Sequence, residues 1–169
     1  GLPYRRFRPR SLLIMCEGLP DFVCDVDGLN EQAILLDNRE MGEMKITVQS
    51  EVKNGRKVVT VGSIISVTNE SHCNVMCRIG AEEKELGYGS TVYVPISMIE
   101  EGAIQLRINE TKTISCELIR IHRATGTINL GTSQNPIYLS VFNEVKKVPI
   151  LGMPGEMLET YNLILSDII

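Results

Sequence analysis

An alternation of apolar and polar residues on both sides of Asn54-Gly55 is the feature that most constrains this fold. Apolar residues occupy every second position before the pair, as at Met44 and Ile46, and the same period returns after it, as at Val59 and Val61. Because side chains on a strand alternate between its two faces, this period predicts strands with one buried face. Asn-Gly favours a two-residue hairpin turn, since both positions tolerate positive φ. The sequence therefore predicts a hairpin over residues 44–67.

The register of this hairpin follows from its turn. A two-residue turn at 54–55 would place Val48 opposite Val61 and Met44 opposite Ile65. The apolar faces of the two strands then coincide, whereas a slip of one residue would separate them.

Short apolar runs predict further strands along the rest of the chain. They lie at 12–16, 22–24, 33–36, 75–79, 91–96, 104–108, 114–118, 128–130, 137–141 and 158–165, the last being a strand or a short helix. A five-residue connection at 109–113 would align the apolar faces of the two runs beside it, and Pro95 indicates an edge strand or a strand end. Helix is scarce, with one candidate turn at 97–101.

Turn residues between these runs recur about every 8–14 positions, which is typical of a sandwich or barrel. We predict an all-β fold: one antiparallel β-sandwich domain over residues 11–169, preceded by an extended basic arm at residues 1–10. Periodicity predicts which side chains share a face but not which strands are neighbours. A jelly roll and other Greek-key orders therefore both stay open.

Composition narrows the class of protein. The chain has 169 residues, 43% of them hydrophobic, which is enough for a packed core. A net charge of −4 argues against a chain that is basic throughout, so any contact with nucleic acid must come from a local patch. No apolar run approaches the roughly 18 residues that span a bilayer. The five cysteines, an odd number, favour reduced thiols in a cytosolic setting, and we expect no membrane association.

The arm concentrates positive charge beside aromatic rings. Its candidate contact residues are Arg5, Arg6, Phe7, Arg8 and Arg10. Flanking prolines discourage a helix there. Arginine forks bind phosphate and stack on bases, and aromatic rings offer further stacking. The arm is predicted to contact RNA or to dock on a neighbouring subunit.

Residues suited to catalysis or metal binding are few. The two histidines, His72 and His122, lie in no recognisable nucleophile motif, so we expect no enzymatic activity. Cys73 and Cys77 lack the second close ligand pair that a zinc site needs, and we interpret them as packed thiols. We expect no catalytic residue, metal or cofactor. Asn69-Glu70-Ser71 matches the glycosylation pattern and is interpreted as turn residues.

A basic, proline-containing arm followed by about 160 residues of short strands resembles the coat proteins of small icosahedral RNA viruses, which fold as eight-stranded jelly rolls. The size resembles the small coat proteins of plant picorna-like viruses of the secovirid group, and Gly1 resembles the residue left when a viral protease cuts a polyprotein. This resemblance implies a structural, non-enzymatic capsid subunit located in the virion and the host cytoplasm. Its partners would be other capsid subunits and, through the arm, genomic RNA.

Other functions stay open. Leu35-Leu36-Asp37, with Gly87 or Gly89 downstream, is similar to the signature of plant-virus movement proteins. A viral matrix protein is a third possibility. A rival from another class is a monomeric β-domain that binds single-stranded nucleic acid through the arm.

Overall fold

The computed structural model describes residues 11–26, 30–38, 40, 42–95, 103–108, 114–117 and 126–168. Over these residues the chain is all-β, with fourteen strands and no helix, as predicted. The strands are β1 Ser11–Ile14, β2 Phe22–Asp25, β3 Glu31–Asn38, β4 Gly42–Lys53, β5 Arg56–Ser63, β6 Ile65–Glu70, β7 Val75–Ile79, β8 Glu82–Leu86, β9 Ser90–Tyr93, β10 Ala103–Arg107, β11 Ile114–Glu117, β12 Gly126–Asn129, β13 Tyr138–Pro149 and β14 Met157–Asp167. The helical turn predicted at 97–101 lies outside the described residues.

The chain divides into two compact units. Unit 1 comprises Gly1–Gly62 and Val148–Met157, and unit 2 comprises Ser63–Lys147 and Leu158–Ile169. Unit 1 holds the ribbon β1-β2 and the sheet β3-β4-β5. Unit 2 holds a four-stranded sheet of order β11-β10-β7-β8 and a five-stranded sheet of order β12-β13-β14-β6-β9. The single domain expected over residues 11–169 stays a prediction.

The Asn54-Gly55 hairpin of unit 1 forms as predicted. β4 ends at Lys53 and β5 begins at Arg56, and the φ angles of Asn54 and Gly55 are +51° and +73°. Two successive positive φ angles are what a type I′ turn requires. Of the apolar side chains predicted to face inward from β4, Met44, Ile46 and Val48 are buried, but Val52 is exposed. Thr47, predicted to face water, is buried.

The predicted pairing of Met44 with Ile65 is wrong. β5 ends at Ser63, and Ile65 begins β6, which belongs to a sheet of unit 2 and pairs in parallel with β14, Ile65 opposite Tyr161. The hydroxyl of Ser63 donates a hydrogen bond of 2.9 Å to the carbonyl of Ile65 and so stabilises the backbone where the chain changes sheet. The apolar period resumes in phase at Ile65, with the polar Ser63 between it and Val61, so the period does not indicate that the chain changes sheet.

The prediction that the apolar positions of β10 and β11 share a face is confirmed, but the register differs by two residues from the one that a five-residue connection at 109–113 would give. β10 and β11 are antiparallel, with Ile104 opposite Cys116 and Leu106 opposite Ile114, so their apolar positions share a face. The edge position indicated by Pro95 is also confirmed, because β9 is the outermost strand of the five-stranded sheet and ends two residues before the proline.

Both sheets of unit 2 contribute to one hydrophobic core. On one sheet, its largest fully buried side chains come from β7, β10 and the last residue of β8; on the other, they come from β6, β13 and β14. They include Val67, Val75, Leu86, Ile104, Leu106, Leu139, Leu163 and Leu165. The described registers of unit 2 are antiparallel except for β6 with β14, which is parallel. The expectation of a wholly antiparallel fold therefore fails at this pair.

β8 is a strand that the sequence did not predict. Glu82, Glu83, Lys84 and Glu85 are exposed, and only Leu86 reaches the core. The segment lacks the apolar alternation on which strand prediction depends. It forms a strand because β7 pairs with it along its whole length, from Val75 opposite Leu86 to Ile79 opposite Glu82.

Candidate interaction surfaces

The candidate residues of the arm, Arg5, Arg6, Phe7, Arg8 and Arg10, lie outside the described residues, as does His122. Contact of the arm with RNA or with a neighbouring subunit therefore stays a prediction. The surfaces described below belong to the two units, each taken by itself.

The β1-β2 ribbon of unit 1 presents an apolar outer face. Pairing places Leu13 directly opposite Val23, and these side chains are 58% and 54% exposed. The alternate residues of β2, Phe22 and Cys24, are buried. Met15, which follows β1, is also exposed. The continuous apolar run at 12–15 was the sequence signal of this surface, since it leaves no polar side chain for a wet face.

A ladder of uncharged polar side chains covers part of the five-stranded sheet on the face opposite the core. The hydroxyls of Ser66 and Thr68 donate to Oδ1 of Asn162 at 3.1 and 3.0 Å. The Thr68 and Thr91 hydroxyls share a hydrogen bond of 2.8 Å. Because a hydroxyl has one proton, Thr91 is the donor in that bond. Such a face can be covered by a partner without desolvating a charge.

The loop after β6 is held by a buried amide. Nδ2 of Asn69 donates to the carbonyls of Cys73 and Leu86 at 2.7 and 2.8 Å. Oδ1 of Asn69 accepts from the backbone N–H and the hydroxyl of Ser71 at 3.0 and 2.6 Å. Asn69 lies at the end of β6 rather than in a turn, and only Ser71 of the sequon is in the bend. Both N–H groups and the oxygen of this amide are hydrogen-bonded, so the loop has one preferred conformation.

His72, at the tip of this loop, contacts the C-terminal strand. Its backbone N–H donates to the carboxylate of Asp167, its Nδ1 hydrogen-bonds to Oδ2 of the same carboxylate, and its ring stacks on Tyr88. The hydrogen bond from the His72 side chain, reinforced by that from its backbone, lowers the pKa of the Asp167 carboxyl below its ordinary value. Sequence reasoning did not find this pair, because the partners are 95 positions apart.

Cys16, Cys24, Cys73 and Cys77 are free thiols. Cys77 is buried in the core of unit 2, and Cys73 packs against that core, which agrees with the interpretation of packed thiols. Burial, with a smaller effect from the neighbouring Asp25 carboxylate, raises the pKa of the Cys24 thiol and keeps it protonated. Within the described ranges, no three metal-ligating side chains cluster, and no helix is long and apolar enough to cross a bilayer.

A groove separates β8 from β9 in unit 2. These strands are joined by the turn at 87–89, yet each is the outermost strand of a different sheet. The groove has a volume of about 330 Å³, and its apolar lining comes from Cys77, Ile79, Val92 and Pro95. Charged side chains of β8 line the same groove.

Comparison with known proteins adds no relative: no protein-family model matches the chain, and no curated protein matches it. The functional conclusion therefore rests on the residues and surfaces described above.

Proposed function

We propose that this chain is a structural, non-enzymatic subunit that assembles with copies of itself or with companion chains, and that the assembly is the icosahedral shell of a small RNA virus. The observation that supports assembly best is the outer face of the β1-β2 ribbon. Single exposed apolar side chains are ordinary, but Leu13 and Val23 are exposed cross-strand neighbours, and Met15, which follows β1, is exposed as well. A contiguous apolar surface of this kind marks a site that another protein covers.

The rest of the described surface is consistent with burial between subunits. The Ser66–Asn162–Thr68–Thr91 ladder offers a flat, uncharged face. A specific interface removes roughly 800 Å² of surface from each partner, which is more than the ribbon alone can supply. The ribbon would then supply the apolar centre of a contact whose polar area comes from other faces.

The fold within unit 2 is proposed to be a β-sandwich of Greek-key type. The support is that residues of both sheets join one core, and that the chain passes from one sheet to the other between β6 and β7, β8 and β9, and β9 and β10. A jelly roll is antiparallel throughout, so the parallel β6-β14 pair favours another Greek-key order. The proposal of assembly rests on the surfaces and not on this strand order.

The proposed location is the virion and the host cytoplasm, with other capsid subunits as partners and genomic RNA as a further partner of the arm. The test is the mass of the purified chain by light scattering, with and without single-stranded RNA and companion chains. Large closed particles, or oligomers that grow with companion chains, support a coat subunit. A chain that stays monomeric in every mixture but binds RNA with a steep salt dependence would support the monomeric nucleic-acid-binding domain instead.

A matched pair of variants tests the ribbon. Leu13→Glu with Val23→Glu places two charges at the centre of the apolar face and should abolish assembly while the circular dichroism spectrum is unchanged. The control, Val52→Glu with Val145→Glu, makes the same change at similarly exposed positions on β4 and β13. Loss of assembly only in the first variant supports the ribbon as a contact. Equal behaviour of the two variants would contradict it.

A further inference from the structure

We propose that the groove between β8 and β9 receives residues 4–8 of the arm of a second copy of this chain, which add to β8 as an extra strand. This inference rests on the proposed assembly function and names the segment and the site through which one subunit holds the next. Addition of an extended segment to an exposed sheet edge is a recurring mode of recognition, with affinity from the backbone and specificity from alternate side chains.

Among the described residues, β8 has a strand partner on one side only, and its charges are unevenly distributed. It is the outermost strand of its sheet, with β7 as its neighbour. Its register with β7 puts Glu82 and Lys84 on the same face as the buried Leu86, and Glu83 and Glu85 on the outer face. Charges on both faces of an edge strand discourage indiscriminate pairing. Because three of these four charges are negative, the edge selects a strand that is positively charged.

The arm has this character and the matching period. In an extended segment, Arg6 and Arg8 point to one side, and Arg5 and Phe7 point to the other. If this segment lay beside β8, Arg6 and Arg8 would lie next to the carboxylates of the outer face. The Phe7 ring would then lie over the apolar lining of the groove. Opposite charges on neighbouring strands stabilise the pairing, whereas like charges weaken it.

The prolines of the arm limit the length of the added strand. Pro3 and Pro9 flank residues 4–8, and proline has no N–H to donate to a ladder. Five residues between them match the five residues of β8. A second β8 edge, with the same carboxylates, would be repelled, so edge-to-edge association of identical strands is disfavoured.

The choice of test residues follows from contacts that already exist. Glu83 pairs with Arg107 at 2.6 Å, so its replacement would disturb the sheet face itself. Glu82 and Glu85 are exposed; the latter accepts one hydrogen bond, from Asn74 at 3.2 Å. We therefore reverse the charge of the edge with Glu82→Lys and Glu85→Lys, one on each face. The charge of the arm is reversed with Arg5→Glu and Arg8→Glu, which lie on the corresponding sides of an extended arm.

The experiment measures association of the full-length variants by light scattering. Each reversed variant alone presents like charges on arm and edge and should associate about tenfold or more weakly than the wild type. A mixture of the two variants is complementary at both contacts and should recover assembly. The neutral variant Glu82→Gln with Glu85→Gln should show an intermediate loss. The control, Glu43→Lys with Glu156→Lys, makes the same change in net charge on unit 1 and should assemble as the wild type does.

The outcomes separate the docking site from the assembly function. If the wild type assembles and each reversed variant assembles equally well, the docking site is overturned but the assembly function is not. Loss of assembly in both variants, without recovery when they are mixed, also overturns the docking site. If assembly of the wild type then depends on RNA, the arm is assigned to binding nucleic acid. A wild type that stays monomeric at every concentration, alone and with companion chains, overturns the assembly function and the docking site with it.

Discussion

Asn69→Ala removes the side chain that fixes the loop at 69–74. The amide makes four hydrogen bonds, two given to carbonyls and two received from Ser71. Asn69 is 0% exposed, so water does not replace the lost partners at no cost. The carbonyl of Leu86 and the N–H of Ser71 would then be left without these bonds in a buried setting. We expect this substitution to be costly although it removes no apolar surface.

The size of the loss follows from the hydrogen bonds. Each contributes about 1 kcal/mol net, and a buried group left unpaired costs about 1–3 kcal/mol. Part of the loss is recovered, because the Ser71 hydroxyl, released from Asn69, can give its one proton to the carbonyl of Cys73, which lies 3.2 Å away. We therefore expect the free energy of unfolding to fall by about 2–4 kcal/mol. For a chain of this length, the melting temperature should fall by roughly 5–15 °C.

Thermal and urea unfolding, followed by circular dichroism, measure this loss. The matched control is Asn74→Ala, which removes an exposed amide with one hydrogen bond, to Glu85, from the same loop. It should change the free energy of unfolding by less than about 0.5 kcal/mol. Hydrogen exchange at the Ser71 amide gives a local readout and should quicken only in the first variant. A loss in Asn69→Ala no larger than that of the control would refute the reasoning.

Three further predictions concern the turn, an unpaired amide and the His72 contact. Asn54→Ala should lower the free energy of unfolding by about 1 kcal/mol, because the φ of +51° disfavours a Cβ, while Asn54→Gly should not. Asn143→Val should leave stability unchanged or raise it by about 1 kcal/mol in urea unfolding, since both amide atoms of Asn143 are buried and have no hydrogen-bond partner among the described residues. Asn162→Val, which removes an acceptor of two hydrogen bonds, should lower stability. Because the pKa of Asp167 is lowered in the folded chain, its bond to His72 is complete above the ordinary value of 3.8 and is lost as the pH falls below it. Protection of the His72 amide from exchange should fall over that acidic range, and Asp167→Asn should show weak protection already at neutral pH; protection that does not change with pH would contradict this.

The class of fold could be predicted from the sequence because it depends on local features. The period-two alternation in β4 needs only the chirality and pleat of a strand, and the turn at Asn54-Gly55 needs only two residues that accept positive φ. The same reasoning predicted that the apolar positions of β10 and β11 share a face, but it missed their register by two residues, because a shift of two residues leaves every side chain on the same face.

The candidate surfaces were predicted only in part. The arm is visible in the sequence as a cluster of arginines, and the apolar run at 12–16 predicted a strand but no exposed apolar face. The exposure of Leu13 and Val23 on one face could not be foreseen, because it depends on which neighbours the ribbon lacks. The pairing of His72 with Asp167 was hidden for a similar reason, since nothing near either residue indicates the other.

The sequence by itself determined which segments are extended and which side of most strands is apolar, because those properties arise from neighbours in the chain. Only the tertiary structure decided that the chain changes sheet after Ser63, that β6 lies parallel to β14, and that the charged segment Glu82–Leu86 becomes a strand. These outcomes depend on pairing between distant segments. Backbone hydrogen bonds of a strand are satisfied by any partner of suitable length, so side chains far away in the sequence select the partner through the core that they fill together.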